Sequence, residues 1–146
     1  CINICGRRPR IMASILKVDS MQGVTSAGDI TITSEGGAAT MQLQQGLAKA
    51  WQNLNGSTFG LRDSFNTASS TDNGIGDYSH TMTNAMSDAD YVVLVTSRNE
   101  ATNTNSANNI HQGTAPTASA FRIQHIENGS GTDAVYVSSS VHGDLA

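Results

Sequence analysis

From Ser57 to the C-terminus, β-branched and aromatic residues fall in short runs of about five to seven, each closed by Gly, Asn, Asp or Ser. Runs of that length suit strands and are too short for an ordinary helix. The candidates are Thr58-Phe-Gly-Leu-Arg62, Asp77-Tyr-Ser-His-Thr-Met82, Tyr91-Val-Val-Leu-Val-Thr96, Ala120-Phe-Arg-Ile-Gln-His-Ile126 and Ala134-Val-Tyr-Val-Ser138. Tyr91 to Val95 is apolar on both faces, so it is expected to be a central strand covered on both sides. Phe121 and Ile123 alternate with Arg122 and Gln124, which predicts one buried and one wet face. Asn73-Gly74 and Asn128-Gly129 are tight-turn signals, and Pro116 falls in a loop. This spacing of short strands predicts a small antiparallel β-sandwich over residues 56–146.

Upstream the pattern changes. Residues 12–37 hold two strand-like runs, Ile15-Leu-Lys-Val18 and Asp29-Ile-Thr-Ile-Thr33, punctuated by Gly23, Gly28 and Gly36-Gly37. Large side chains are too few there to bury much surface, so this segment is expected to attach or oligomerise rather than fold alone. Over residues 38–55, Thr40, Leu43, Leu47, Ala50 and Leu54 follow a 3-4 spacing that predicts one apolar stripe on an amphipathic helix. Gln42, Gln45, Lys49 and Gln52 take the other side, and Asn55-Gly56 supplies a helix end. The stripe could pack on the chain's own sheet or form a seam among identical chains; the seam is the reading favoured, with these five residues as the oligomerisation set. Trp51, beside the stripe, is expected to pack.

Composition narrows the function. Ser, Thr, Asn and Gly make up about two fifths of the chain, and charged residues only 14%. A surface of hydroxyls and amides suits repetitive or externally displayed β proteins. The formal charge is −4, yet Arg7, Arg8 and Arg10 all lie in the first ten residues, so the remainder carries about −7. Lys17, Lys49, Arg62, Arg98 and Arg122 are too scattered to displace counterions from a duplex, and no nucleic-acid partner is expected. No apolar run reaches the ~20 residues a membrane-spanning helix needs, and the first residues do not read as a signal peptide. Residues 1–11 differ in charge from the rest of the chain. Met12-Ala-Ser reads as a start of translation, making them an upstream extension, or else a basic arm. Cys1 and Cys5, the only cysteines, lie in that segment and leave the body no internal disulfide.

Several stretches in a fixed order resemble a known family. They are Met12-Ala-Ser-Ile-Leu-Lys-Val-Asp19, Leu43-Gln-Gln-Gly-Leu-Ala-Lys-Ala-Trp51 with Asn55-Gly56, Arg62-Asp-Ser-Phe-Asn66, Thr71-Asp-Asn-Gly-Ile-Gly-Asp-Tyr78 and Asn84-Ala-Met-Ser-Asp-Ala-Asp-Tyr-Val92. Together they look like the short tail-fibre-type virion proteins of marine bacteriophages, including phages of cyanobacteria. The resemblance covers nearly everything from Met12 and is strongest between Leu43 and Val95. It implies a virion component assembled in a bacterial cytoplasm as a homo-oligomer, most often a trimer, alongside other virion proteins, and it brings no catalytic motif. The leading residues and a long Asn/Thr-rich loop depart from the family pattern.

Chemistry-bearing residues are sparse. Asp72, Asp77, Asp88 and Asp90 do not fit a calcium loop: with Gly74 as its central glycine, His80 stands where the bidentate Glu belongs. Asp77 and Asp88 are the pair a polysaccharide hydrolase would need. His80, His111, His125 and His142 are scattered, with solvated strand positions as the default; His80 and His125 could gather on a threefold axis. No Gly-x-Ser-x-Gly elbow occurs. The segment Arg98 to Pro116 reads as a long surface loop. Its amides Asn103, Asn105, Asn108 and Asn109, with His111, are the candidate contacts to a host-surface glycan or protein. The combined expectation is a mainly β, trimeric appendage subunit without cofactor, metal or catalytic residue. A capsid-surface or fibrous lattice protein is the alternative, and an envelope-polysaccharide hydrolase the third.

Overall fold

The computed structural model describes residues 16–24, 30–33, 37, 39–99 and 106–146. These residues form eleven strands and no helix. β1 (Thr31–Thr33) and β2 (Thr40–Gln42) form a small exposed hairpin-like pair. β3 (Ala50–Asn55), β4 (Gly60–Phe65), β7 (Val92–Arg98) and β11 (Tyr136–His142) make a four-stranded sheet in the order β4-β3-β11-β7. β5 (Thr67–Gly74), β6 (Asp77–Met82), β8 (Ser106–Ile110), β9 (Ala120–Glu127) and β10 (Ser130–Gly131) make the second, with β9 pairing β6, β8 and β10. All pairings are antiparallel.

The two sheets share one core. Ala50, Leu54, Val137 and Val141 point inward from the four-stranded sheet and meet Tyr78, Met82, Phe121 and Ile123 from the other. Met86 and Ala134 complete the cluster, and Tyr91, Val93, Val95 and Ile110, partly buried, pack against it. This is the β-rich, sandwich-like body expected from the spacing of the runs. β6 occupies the residues the sequence indicates, and β9 differs by one residue at its end.

The amphipathic helix is not there. Residues 40–42 form β2, residues 43–46 turn, and residues 50–55 form β3. The physical reason lies in a coincidence of periods. Ala50 and Leu54 satisfy both a four-residue helical spacing and a two-residue strand spacing, and the residue between them, Gln52, is also buried. A polar inward residue hid the alternation, while Trp51, Asn53 and Asn55 face outward. Lys49, expected on a wet helix face, is buried, and its ammonium donates to the carbonyls of Gln44 and Leu47, closing the turn before β3. The predicted seam therefore splits: Thr40 is exposed on β2, Leu43 opens the turn and Leu47 follows it, and Ala50 and Leu54 lie inside the chain's own core.

Other expectations shift as well. Leu16 to Val18 is not strand, Ile15 and Asp29 lie outside the described residues, and Ile30–Thr33 narrows to β1. The Tyr91 run is an edge strand rather than a central one, pairing only with β11 among the described residues. Val93 and Val95 face the core, whereas Val92 and Leu94 are each 57% exposed. The supposed long loop contains β8, whose Asn108 and Ile110 face inward opposite His125 and Ile123.

The turns follow backbone rules. Asn128 and Gly129 both have positive φ, 50° and 83°, as a two-residue turn between β9 and β10 requires. Between β5 and β6 the reversal comes at Ile75-Gly76, just past the Asn73-Gly74 signal. Gly76 has φ 69°, and a Cβ there would meet the carbonyl oxygen of His125 and, at 2.7 Å, the Thr132 nitrogen. Gly76→Ala is therefore expected to cost about 1–3 kcal/mol in denaturant unfolding. Gly129→Ala, with nothing within 4 Å of its Cβ, should lose only the left-handed penalty of about 1 kcal/mol.

Candidate functional site

Because both sheets bury one face, the outer faces are what the molecule presents, and they differ in chemistry. Across the four-stranded sheet, register aligns Phe65 with Trp51, Trp51 with Ser140, and Ser140 with Leu94. Val92 stands in the next row opposite His142, whose Nε2 lies 3.0 Å from Ser140 Oγ. Phe65 is 54% exposed and Trp51 38%. Large apolar side chains thus run from one edge of this sheet to the other, broken only by a serine. Trp51, expected to pack, instead belongs to this face. A row of large exposed apolar side chains, here interrupted by one serine, marks an interaction site more often than singly scattered ones do.

Toward the far end of the same face stand Tyr136 and two arginines. Arg98 is the cross-strand partner of Tyr136. Arg62 is the extra residue where β4 shifts register against β3, and this irregularity turns its side chain across the sheet. Its Cζ lies 4.0 Å from the Tyr136 ring centroid, and that of Arg98 5.6 Å. Nη1 of Arg62 donates to the carbonyl oxygens of Val135 at 2.6 Å and Leu54 at 3.2 Å.

The outer face of the other sheet is polar. Arg122 on β9 grips Asp77 on β6 through Nε to Oδ1 at 2.7 Å and Nη2 to Oδ2 at 2.5 Å. This bidentate pairing, more than the nearby charges, holds the Asp77 carboxyl below its ordinary range despite partial burial. The Gly113 N–H donates to His111 Nδ1, which leaves the proton of the neutral ring on Nε2, 3.7 Å from Asp77 Oδ2. Asn73 donates to Ser79 Oγ beside them, and Asn109 pairs with Gln124 across β8 and β9.

Two histidines expected on wet strand positions are instead interior, each 1% exposed. His80 alternates inward between Tyr78 and Met82, its Nδ1 2.9 Å from Ser70 Oγ and its ring 5.2 Å from that of Phe121. Burial lowers its pKa to about 4, so the ring is neutral at neutral pH. His125 sits among Ser97 Oγ and Asn108 Oδ1, both 3.0 Å from Nδ1, and Glu127 Oε1, 3.4 Å from Nε2. Asn99 Nδ2 donates to the same carboxylate at 3.0 Å. Serine, imidazole and carboxylate in line invite comparison with a hydrolytic triad, but that chemistry needs a base that can reach a substrate. Here the ring is sealed between the sheets and Asn108 shares its Nδ1. The arrangement ties β7, β8 and β9 together.

Of the five receptor-contact candidates, Asn103 and Asn105 lie outside the described residues. Asn108 turns inward to His125, Asn109 is exposed on the polar face, and His111 joins Asp77. Asp77 is committed to Arg122, while Asp88 accepts a local hydrogen bond from the Asp90 N–H. Among the described residues no three His, Cys, Asp or Glu side chains gather to hold a metal ion, and no helix is long and apolar enough to cross a membrane. No family model, curated protein or solved structure matches the chain.

Proposed function

We propose that this chain is a bacteriophage virion structural protein, a tail-fibre-like appendage subunit that assembles with copies of itself and meets the host cell surface. The order of its sequence segments supports the class. The assembly reading is carried by one observation, the exposed Phe65–Trp51–Leu94 row with Val92 beside it. Covering such a row in an oligomer removes apolar area from water at roughly 25 cal/mol per Å². With the helical seam gone, this sheet face takes over the role of contact between chains, and a trimer remains the state proposed. The polar face carrying Asn109, His111, Asp77 and Arg122 then turns outward, where its hydroxyls, amides and charges can meet a glycan or protein.

The test is the mass in solution by light scattering at micromolar concentration. A trimer of the 15.3 kDa chain is expected. Phe65→Asp combined with Leu94→Asp should shift it to single chains while the β-sheet circular dichroism persists, because both side chains point away from the core. A wild-type chain that is monodisperse and monomeric would remove the assembly reading.

A further inference from the structure

The Arg62–Tyr136–Arg98 group is used neither by the core nor by the apolar row. Tyr136 pairs in register with Arg98, and it lies four positions along β11 from Ser140, the member of the Phe65–Trp51–Leu94 row on that strand. That is about 13 Å along the sheet. Its chemistry is distinctive in an acidic protein: two guanidinium groups converge on one half-exposed ring. No described carboxylate comes within ion-pair distance of either.

The way Arg62 is held indicates what its free edge can do. All of its hydrogen bonds leave from Nη1, to Val135 O, Leu54 O and, at 3.5 Å, Asn53 Oδ1. Two of these acceptors are backbone carbonyls, so the guanidinium is anchored against the sheet at one corner and stacked over Tyr136. The opposite edge, Nε with Nη2, makes no hydrogen bond within the described residues. This is the edge through which Arg122 holds Asp77 in the same chain. A planar fork of two N–H donors matches the spacing of two oxygens on a carboxylate, sulfate or phosphate. Anchoring also reduces the conformational freedom lost on binding, which an unattached surface arginine would forfeit. Arg98 adds a second positive charge on the same ring.

We infer that Arg62, Arg98 and Tyr136 form a binding site for an oxyanion group, with the Arg62 Nε/Nη2 edge as its bidentate contact. The contacts that carry the inference all lie within one chain, and the group stands on the same face as the apolar row but about 13 Å along the sheet from it, so the site requires that contact between chains stop short of this end of the face.

The experiment tracks the Arg62 Nε–H resonance by NMR in the full chain. Sodium sulfate, phosphate and acetate are titrated in turn, with total ionic strength held constant by sodium chloride. Saturable shifts at Arg62 and at the Tyr136 amide are expected. Saturation by acetate would mark carboxylates as the source, and saturation by sulfate or phosphate the tetrahedral esters; either supports the site. Arg62→Lys keeps the charge but loses the fork, and about tenfold weaker binding is expected. Arg98→Gln touches only the ring and keeps the fold out of question; it should weaken binding by a similar factor. Shifts that chloride reproduces, or variants that titrate like the wild type, would overturn the inference.

Discussion

Leu54→Ala is expected to lower the free energy of unfolding by about 3–5 kcal/mol, the range for truncating a leucine in a packed core. Leu54 is fully buried on β3, between β4 and β11, and belongs with Tyr78, Ile123 and its register partner Val137 to the core cluster. Since small domains are stable by only about 5–15 kcal/mol, a loss of this size takes a large share of the total. Leu47→Ala makes the contrast. Leu47 is more than half exposed after the turn, so its truncation should stay within about 0.5 kcal/mol. A seam along one helix face would behave differently, because both leucines would then contribute to association and neither to the fold of one chain. Urea unfolding monitored by circular dichroism, with mass measured in parallel, separates the two arrangements. Equal, small stability losses for both variants, accompanied by dissociation, would return the helix and sink the strand assignment of residues 50–55.

The second large effect is a dependence on pH. His80 has a folded pKa of about 4 because burial disfavours its charged form, against about 6.5 for an unfolded histidine. Between these values the unfolded chain binds a proton that the folded chain does not. Stability therefore declines as pH falls from 6.5 toward 4, and below 4 both states are protonated and the decline from this group ends. The gap amounts to roughly 3 kcal/mol at 1.36 kcal/mol per pH unit. Asp77 acts in a separate window: its folded pKa is depressed below 3.8, so its contribution is present above that value and is lost at lower pH. His80→Gln removes the titrating ring, and its unfolding free energy should be flatter between pH 7 and 4 than that of the wild type. Parallel pH curves for the two proteins would show that His80 does not govern this range.

How far the sequence reveals the fold depends on whether inward positions are apolar. β6 and β9 alternate large apolar residues with polar ones, and the Asn128-Gly129 turn has only one comfortable conformation, so these were legible. β5 runs Thr67-Ala-Ser-Ser-Thr-Asp-Asn-Gly74 with no large apolar residue, and its place is fixed by pairing with β6 rather than by burial of its own side chains. β8, with Ile110 as its only large apolar residue, is held in the same way by β9. Inward His80, His125 and Gln52 disguised the pattern further, because polar residues at buried strand positions look like solvent-facing ones. The candidate surfaces were harder still. Trp51, Phe65 and Leu94 are far apart in the chain, and only the strand order β4-β3-β11-β7 brings them into one row. Arg62 reaches Tyr136 through a register shift that no periodicity announces.

The edge position of β7 has a practical side. Among the described residues its backbone is laddered to β11 along one side only, leaving amide and carbonyl groups on the other side without strand partners. Val92-Val-Leu-Val95 carries no charge or proline to discourage a stranger from pairing there; Arg98, at the end of the strand, is its only ionic guard. Concentrated refolding mixtures should thus lose material to edge-to-edge aggregates, and a lysine in place of Val92 is the substitution to rescue the yield.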